Sequence, residues 1–581
     1  MRILLLVTAF NGVSQRVYEQ LRWKKHQVSV VFGANDSEIR QSIDEFEPAI
    51  IICPFLKQRI TEDIWRKHLC IIIHPGIKGD RGPSSLDWSI LNQDEYWGVT
   101  ALQADTEMDA GAIWSSRNFK TRSISKASMY RQQVSDTSAQ LIDDVIQHFQ
   151  DESYRPEPLD YSKADVKGQL RPLLKQCERM IDWKRDNTDT IIKKIHAADS
   201  FPGVLDNLCG LDVYLFGAHI ESSMTINAQA YQAKEIIATR KGAICLATID
   251  GAIWVSHLKR QKTDKARYIK LPASQVLQGF IDHVAEAPLE LLTPYLSETY
   301  KEISYYQDNG VGYLYFNFHN GAMGTQQCID LLEAYQALLK TDVKVIVLMG
   351  GDDFWSNGIH LNHIEASTDP AAESWQNIHA INDVVKAILE SSDKITVAAL
   401  RNNAGAGGVM MALACDHVFA RDGVVLNPHY KSMGLFGSEY WTYSLPKRVG
   451  NKIAQELTQG CMPLGVKQAE VLGLVDTVFA TDTQVFQLSL EEHCQGLAQH
   501  HLFDQWLANK ACARAEDEQR KPLQQYRDEE LAKMKRCFAI NSEYHHLRHN
   551  FVYKISCGLT PERLKTHKNI IDGIVKFDPV P

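Results

Sequence analysis

The sequence predicts an α/β protein that opens on a doubly wound sheet and closes on a second α/β half with a helical extension. Three observations carry this expectation. Over residues 2–150, short apolar runs alternate with helix-patterned stretches, as in a mostly parallel sheet. After residue 300, apolar runs at 312–318, 343–349 and 395–400 each lead through a turn into a helix, and the last two turns are glycine-rich. The 581 residues exceed what one core holds and favour about three or four domains.

Composition narrows the function classes. The chain is 44% hydrophobic and 23% charged with a net charge of -9, so no basic field draws in nucleic acid. No apolar run is long enough to span a membrane. The leading MRILLLVTAF has too short an apolar core for a signal peptide and no small-residue cleavage site after it, and it reads as a strand. Twelve cysteines lie without a C-x-x-C pair, mostly in apolar contexts such as Cys70, Cys245 and Cys415. They read as reduced thiols of a cytoplasmic protein, and no metal site is assigned.

Taken in order, Arg2–Phe10 is the first strand, NGVSQ a turn and Arg16–Arg22 a helix. Strands follow at Val28–Phe32 and Ala49–Cys53. The apolar run Ile71–Ile73 delivers His74 to a strand end, where a Pro-Gly pair stops the ladder. A strand over Trp97–Ala104 feeds a polar turn with Asp105, Glu107 and Asp109 before Gly111. Open α/β sheets place ligands at the carboxyl ends of their strands, and His74 and Asp109 are both expected there. A histidine with a nearby carboxylate can hold and move a proton near neutral pH, which suits acyl transfer. A lone strand-end histidine is more often structural; the DRGPSS turn and the D-x-x-x-D-x-G ending together raise the functional reading. Gln15, in the loop Asn11–Gln15, is expected at the sheet edge of His74. Ser125–Gln150 reads as a long closing helix from which Arg131 reaches the cleft.

Residues Asp151–Asp165 are polar with two prolines and read as a linker. A module opening on IHAADSFPG (195–203) has strand candidates around Tyr214, Ile244 and Trp254 and ends near Pro272. In the second half, the turns GGDDFWSNGIHL and RNNAGAGG follow apolar strands, an arrangement that exposes backbone N–H groups at a helix start. Two such turns can form an oxyanion hole for a thioester carbonyl; the bland alternative is close packing of helix on strand. From Leu502 to His549 the chain is charged and helical, with i,i+4 pairs on a solvated face. The expected boundaries are 1–160, 161–275, 276–500 and 501–581.

The stretch around His74 resembles the formyltetrahydrofolate-dependent formyltransferases, whose pattern N-x-H-P-S-L-L-P-x-x-R-G-x-x-P is followed by G-V-T and D-x-G. His74, Pro75, Arg81, Gly82, Gly98, Val99, Thr100, Asp109 and Gly111 fall in register. The resemblance implies His74 and Asp109 as catalytic pair and formyltetrahydrofolate as formyl donor, with Gln15, Arg81, Gly82 and Arg131 in the binding cleft. The family asparagine two residues before the histidine is Ile72 here, a departure that touches oxyanion stabilisation. IHAADSFPG resembles the opening of that family's small β-barrel-like second domain, with His196 in place of an arginine.

The glycine turns resemble the crotonase superfamily, the enoyl-CoA hydratase/isomerase fold. Phe354–Leu361, Asn403–Asp416, Leu445–Gly450 and Ala469–Asp476 match its motifs in order. The resemblance implies that the N–H groups of Ile359 and Gly407 form the oxyanion hole, with coenzyme A bound beside Gly358, Gly408 and Tyr443. The two hydratase glutamate positions are Met410 and Tyr430, neither of which activates water as a carboxylate would. Tyr430 is then the expected proton carrier, with His429, Glu439, Tyr440 and Tyr443 as polar neighbours. The domain order resembles the HypX/HoxX hydrogenase maturation proteins over nearly the whole chain. That resemblance implies formyl transfer to coenzyme A, decarbonylation of formyl-CoA, and carbon monoxide for the [NiFe] hydrogenase active site. It also implies small-molecule substrates, with hydrogenase assembly proteins as candidate partners and no role for nucleic acid or membrane. Two other readings stand beside it: an amine or sugar-nucleotide formyltransferase with a scaffolding second half, and a formyl-CoA thioesterase releasing formate.

Overall fold

The computed structural model describes residues 1–222, 231–264, 266–555 and 558–571. The first half is built on a six-stranded sheet in the order Gln27–Phe32, Arg2–Val7, Ile50–Cys53, Cys70–His74, Tyr96–Gln103, Ile113–Lys120. The first four run parallel, and their near-continuous apolar composition follows from burial on both faces. The last two are antiparallel. His74 pairs with Thr100 and Ile71 with Gln103, so the carboxyl end of Tyr96–Gln103 lies away from His74. Strand direction therefore does not deliver Asp109 to the catalytic edge, contrary to expectation. The following loop carries it back.

Two further local differences bear on the sites. The first helix begins at Gly12, not Arg16, because the Asn11 side chain accepts the Ser14 N–H at 3.1 Å and caps it. Gln15 is thus helical. The closing helix is interrupted: Lys126–Met129 and Ser135–Gln150 flank a π-helical turn, Tyr130–Val134, which carries Arg131.

The middle module is an antiparallel sheet, Val204–Leu208, Leu211–Ile220, Ala252–Arg260, Ala243–Ala247 and Ile236–Arg240 in that order, with Leu271–Pro272 beside Ala252–Arg260. Helix Thr188–Ala198 covers it through Ile191 and Ile195. The third sheet has six strands in chain order, from Ile303–Asp308 to Thr477–Phe479, and a small three-stranded sheet stands beside it. Helices Phe503–Arg520, Leu523–Cys537 and Glu543–Val552 form the extension. The chain then returns to its own first domain: Thr566 Oγ1 donates to the Val28 carbonyl, and His567 Nδ1 lies 2.6 Å from Ser29 Oγ.

The outer halves also meet directly. Asp136 accepts from Arg16 and, at 3.1 Å, from Arg421 of the third sheet. Both guanidiniums are nearly inaccessible, at 9% and 5% side-chain exposure, so removing their shared acceptor strands two buried charges. Asp136→Ala is expected to lower the stability of the first unfolding step by about 3 kcal/mol, measured by urea denaturation.

Candidate active sites

The first site is built around His74, which is 5% exposed. Three donors fix the Pro75-Gly76 turn behind it. Ser85 Oγ and Trp97 Nε1 donate to the Pro75 carbonyl at 2.7 and 3.1 Å, and Thr100 Oγ1 donates to the Gly76 carbonyl at 2.9 Å. The last contact gives the threonine of the G-V-T motif its structural task. His74 itself lies between two carboxylates. Its Nε2 is 3.0 Å from Asp80 Oδ2, and its Nδ1 is 3.7 Å from Asp109 Oδ2. The shorter contact assigns the proton to Nε2–H and leaves Nδ1 as the open acceptor facing Asp109.

Asp80 escaped the sequence reading, although it stands one residue before Arg81 in the same turn. It is 2% exposed, and its Oδ1 has no hydrogen-bond partner among the described residues. Arg81 and Gly82 hold the returning loop. Arg81 Nε donates to the Met108 carbonyl at 3.1 Å and Nη2 pairs with Glu107 at 3.0 Å. The Gly82 N–H donates to Asp109 Oδ2 at 3.3 Å. Gly82 has φ +116°, and a methyl there would fall 2.2 Å from the Arg171 carbonyl. Ile72 shares the face of His74 and packs with Leu4, Leu6 and Ile51, so it offers no donor.

Gln15 and Arg131 lie on the seam between the outer halves. Gln15 Oε1 accepts from Asn427 Nδ2 at 3.0 Å. Arg131 pairs with Asp353, donates to Asn320 Oδ1 at 3.2 Å and lies 4.8 Å over the Phe354 ring. It thus reaches the turn that leads to Ile359.

That turn and the second glycine turn form the second site. The Gly405 N–H donates to the Ser356 carbonyl at 2.9 Å, crossing the two segments. Gly358 has φ +74°, and a methyl on it would stand 3.1 Å from the Gly407 nitrogen; a methyl on Gly408 would fall 2.2 Å from the Ser356 carbonyl. Ile359 and Gly407 are therefore neighbours, and Gly407 opens helix Gly407–Leu413, where backbone N–H groups lack helical acceptors. Met410 is buried in the core on that helix.

Neither motif position for a carboxylate holds one, but Glu439, expected as a polar neighbour of Tyr430, comes to Gly407. A methyl on Gly407 would fall 2.1 Å from Glu439 Oε1, so the Glu439 carboxylate lies directly over Gly407. Its other oxygen accepts from Tyr430 at 2.8 Å and from the Ser438 N–H at 3.0 Å. Glu439 is 1% exposed, and burial pushes its carboxyl up to about 7. Burial, then the charge of Glu439, holds the Tyr430 phenol well above its ordinary range, so Tyr430 stays a donor. The Glu439 carboxyl therefore titrates closer to neutral pH than the Tyr430 phenol does. Motif counting gave Glu439 only as a polar neighbour because it lies nine residues beyond Tyr430, on a turn with consecutive left-handed residues, Glu439 at φ 61° and Tyr440 at φ 56°. Each costs about 1–3 kcal/mol. Tyr443 faces elsewhere: its hydroxyl donates to Asp517 and accepts from Arg514, each at 2.8 Å, on the helical extension.

A buried group of histidines adjoins the second site. His257 and His319 stack at 4.0 Å, and His360 and His363 at 3.6 Å. Nε2 of His319, His360 and His363 is buried without a partner among the described residues. Burial, reinforced in three of the four by neighbouring cationic or imidazole groups, pushes all four imidazoles below their ordinary range. Burial likewise brings Lys270 of the middle module down to about 8.

The fold and the two sites define a formyltransferase joined to a crotonase. Residues 12–146 match the Formyl transferase family, 173–275 its C-terminal domain, and 307–542 Enoyl-CoA hydratase/isomerase. The chain belongs to the HypX/HoxX family of hydrogenase maturation factors. It is 41% identical to hydrogenase maturation factor HoxX of Bradyrhizobium diazoefficiens over 570 residues, 98% of this chain and 97% of that one. The crystal structure of HypX from Aquifex aeolicus in complex with tetrahydrofolic acid superposes with a TM-score of 0.93 at 40% identity, covering 98% of this chain and 99% of that one. The first half is also 26% identical to methionyl-tRNA formyltransferase of Nitrosomonas eutropha over 245 residues, 42% of this chain and 73% of that protein.

Asp80 makes the shorter of the two carboxylate contacts to His74 and orients its ring. Asp80→Asn is expected to slow formyl transfer by about 100-fold while leaving the fold intact, measured as folate-donor turnover beside a circular dichroism spectrum.

Proposed function

We propose that the first site transfers the formyl group of formyltetrahydrofolate to the thiol of coenzyme A, and that the second splits formyl-CoA into carbon monoxide and free coenzyme A. The carbon monoxide serves assembly of the [NiFe] hydrogenase active site, with hydrogenase assembly proteins as its receivers in the cytoplasm. One observation carries the second step: a buried carboxylate, Glu439, lies against the glycine amide that would hold a thioester oxygen. Support for the donor comes from the Aquifex aeolicus relative, which binds tetrahydrofolic acid. Among the described residues, no helix is long and apolar enough to cross a membrane.

In the first step His74 Nδ1 accepts the thiol proton while sulfur attacks the formyl carbon. Asp109 stabilises the imidazolium, and the proton passes to the departing folate nitrogen. Coenzyme A phosphates suit the seam between the halves. Lys57, Arg131, Lys259 and Lys554 bring cationic charge together there, and desolvation, joined by that charge, lowers the Lys554 ammonium.

In the second step the Ile359 and Gly407 N–H groups hold the carbonyl oxygen. Glu439 takes the formyl hydrogen as a proton. The electron pair of that C–H bond becomes the carbon lone pair of carbon monoxide, and the C–S pair leaves with sulfur. The proton then moves from Glu439 to the thiolate, so the products are carbon monoxide and the thiol. Tyr430 donates to Glu439 throughout and fixes its rotamer. A thioesterase would need water at the same carboxylate, and the 1% exposure of Glu439 favours the dry route.

The test combines protein, formyltetrahydrofolate and coenzyme A with deoxyhaemoglobin as an optical trap. A carbonyl-haem spectrum requiring both substrates is expected; formate in place of carbon monoxide would make the second site a thioesterase. Folate consumption only with an added amine would make the first site an amine formyltransferase. Glu439→Gln is expected to cut carbon monoxide release from formyl-CoA by about 100-fold or more and to spare formyl transfer, whereas His74→Ala does the reverse. Because Glu439 acts as a base with its carboxyl raised to about 7, the second-site rate should rise with pH and level off above 7. A flat profile between pH 6 and 8 would remove Glu439 from that role.

A further inference from the structure

The helical extension contributes a second buried carboxylate to the second site. Glu530, on helix Leu523–Cys537, is 1% exposed and forms no ion pair among the described residues. Its donors come from the turn that carries Glu439. Oε1 accepts from the Thr442 N–H at 2.9 Å and from the Thr442 hydroxyl at 2.5 Å. Oε2 accepts from the Tyr440 N–H at 3.0 Å and from Ser438 Oγ at 3.3 Å. Tyr440 and Thr442 are the N-cap and second residue of helix Trp441–Gly460, so a carboxylate from elsewhere in the chain caps that helix start.

The turn needs this support. Glu439 and Tyr440 are consecutive left-handed residues with side chains, a conformation that persists only where the surroundings over-determine it. Asn382 holds one side, its Oδ1 accepting from the Glu439 N–H at 2.8 Å. Glu530 holds the other. On its own helix, Arg527 is paired with Asp383 at 2.6 Å and lies 3.2 Å from His379, so it is not the partner of Glu530. The charge that Glu530 does face is that of Glu439.

We propose that Glu530 is the positioning residue of the second site: as an anion it caps helix Trp441–Gly460, locks the left-handed Glu439–Tyr440 pair and keeps the Glu439 carboxylate over Gly407. The proposal rests on the reading of Glu439 as the base. It gives the extension a chemical task, since the two carboxylate charges oppose each other, with that of Glu439 raising the Glu530 carboxyl. Burial has pushed both carboxyls up to about 7, in keeping with two acids sharing one dry environment.

The experiment supplies formyl-CoA directly to the full-length protein. Glu530→Gln is expected to lower kcat for carbon monoxide release by about 10–100-fold with KM little changed, because a misplaced base costs rate and not binding. Removing a like charge should also move the pH–rate limb down by about one unit. Thr442→Val keeps the charge but loses one donor, so kcat should fall while the limb stays in place. Formyl transfer at the first site should be unchanged in both. Wild-type kcat and an unmoved limb in Glu530→Gln would overturn the proposal. So would a joint loss of both activities with a lowered melting temperature in the two variants, which marks a merely structural residue. Wild-type protein that yields no carbon monoxide would sink the functional reading instead. Infrared titration of the Glu439 carboxyl, assigned by Glu439→Gln, then decides on Glu530: no downward shift in Glu530→Gln overturns its role.

Discussion

The second half of the molecule is arranged around the cost of keeping one carboxylate dry. Glu439, at 1% exposure, must find its partners inside the protein. Tyr430 and the Ser438 N–H supply them. That solution dictates much else. Gly437 has to be a glycine, since a methyl at its φ of +94° would fall 2.3 Å from the Tyr430 ring. Gly407 has to be a glycine because the carboxylate occupies the space of its side chain. The left-handed pair at 439–440 then needs anchors on both sides, and these are Asn382 and Glu530. The extension is thereby part of the site, although its sequence reads as a solvated helix face.

The first site solves a different problem. Its sheet turns antiparallel just where the second carboxylate is needed, so Asp109 arrives on a loop and not at a strand end. Arg81 and Gly82 tie that loop to the turn after His74, and Asp109 itself sits at φ 56°. The R-G pair of the motif is thus explained as the clamp on Asp109. Asp80, adjacent in sequence, orients the other edge of the imidazole. A single turn of four residues, 79–82, sets both sides of the histidine.

How much of this was legible in the sequence follows from the range of the interactions. Strands and helices of both outer halves were readable because burial on two faces leaves continuous apolar runs, as at Ile71–Ile73 and Ile395–Leu400. The turns that follow His74 and that carry Gly358 and Gly407 were readable because glycine and turn chemistry punctuate those runs. Asp80 was hidden inside a motif already assigned to its neighbours. Glu439 and Glu530 were not recoverable from spacing, because their contacts are with Gly407 and the Ser438–Thr442 segment, and left-handed backbone at Glu439 leaves no mark in a glutamate. The buried histidines were equally silent: His257 and His319 come from different domains, and no local pattern joins them.

The seam between the halves brings elements that lead to the two sites into contact. Arg131, on a π turn of the first domain, is paired with Asp353 and stacked on Phe354, in the segment that ends at Ile359. Gln15 meets Asn427, and the Asp136 carboxylate draws in a guanidinium from each side. A π turn widens the helix locally and displaces its side chains, which is how Arg131 faces the second domain while its helix packs on the first sheet. Beside this seam burial lowers both Lys270 and the neighbouring imidazoles, which marks an interior that is polar and largely desolvated. A formyl thioester is readily hydrolysed in water. On the proposed relay, a desolvated boundary between the two sites is where such a thioester would escape hydrolysis.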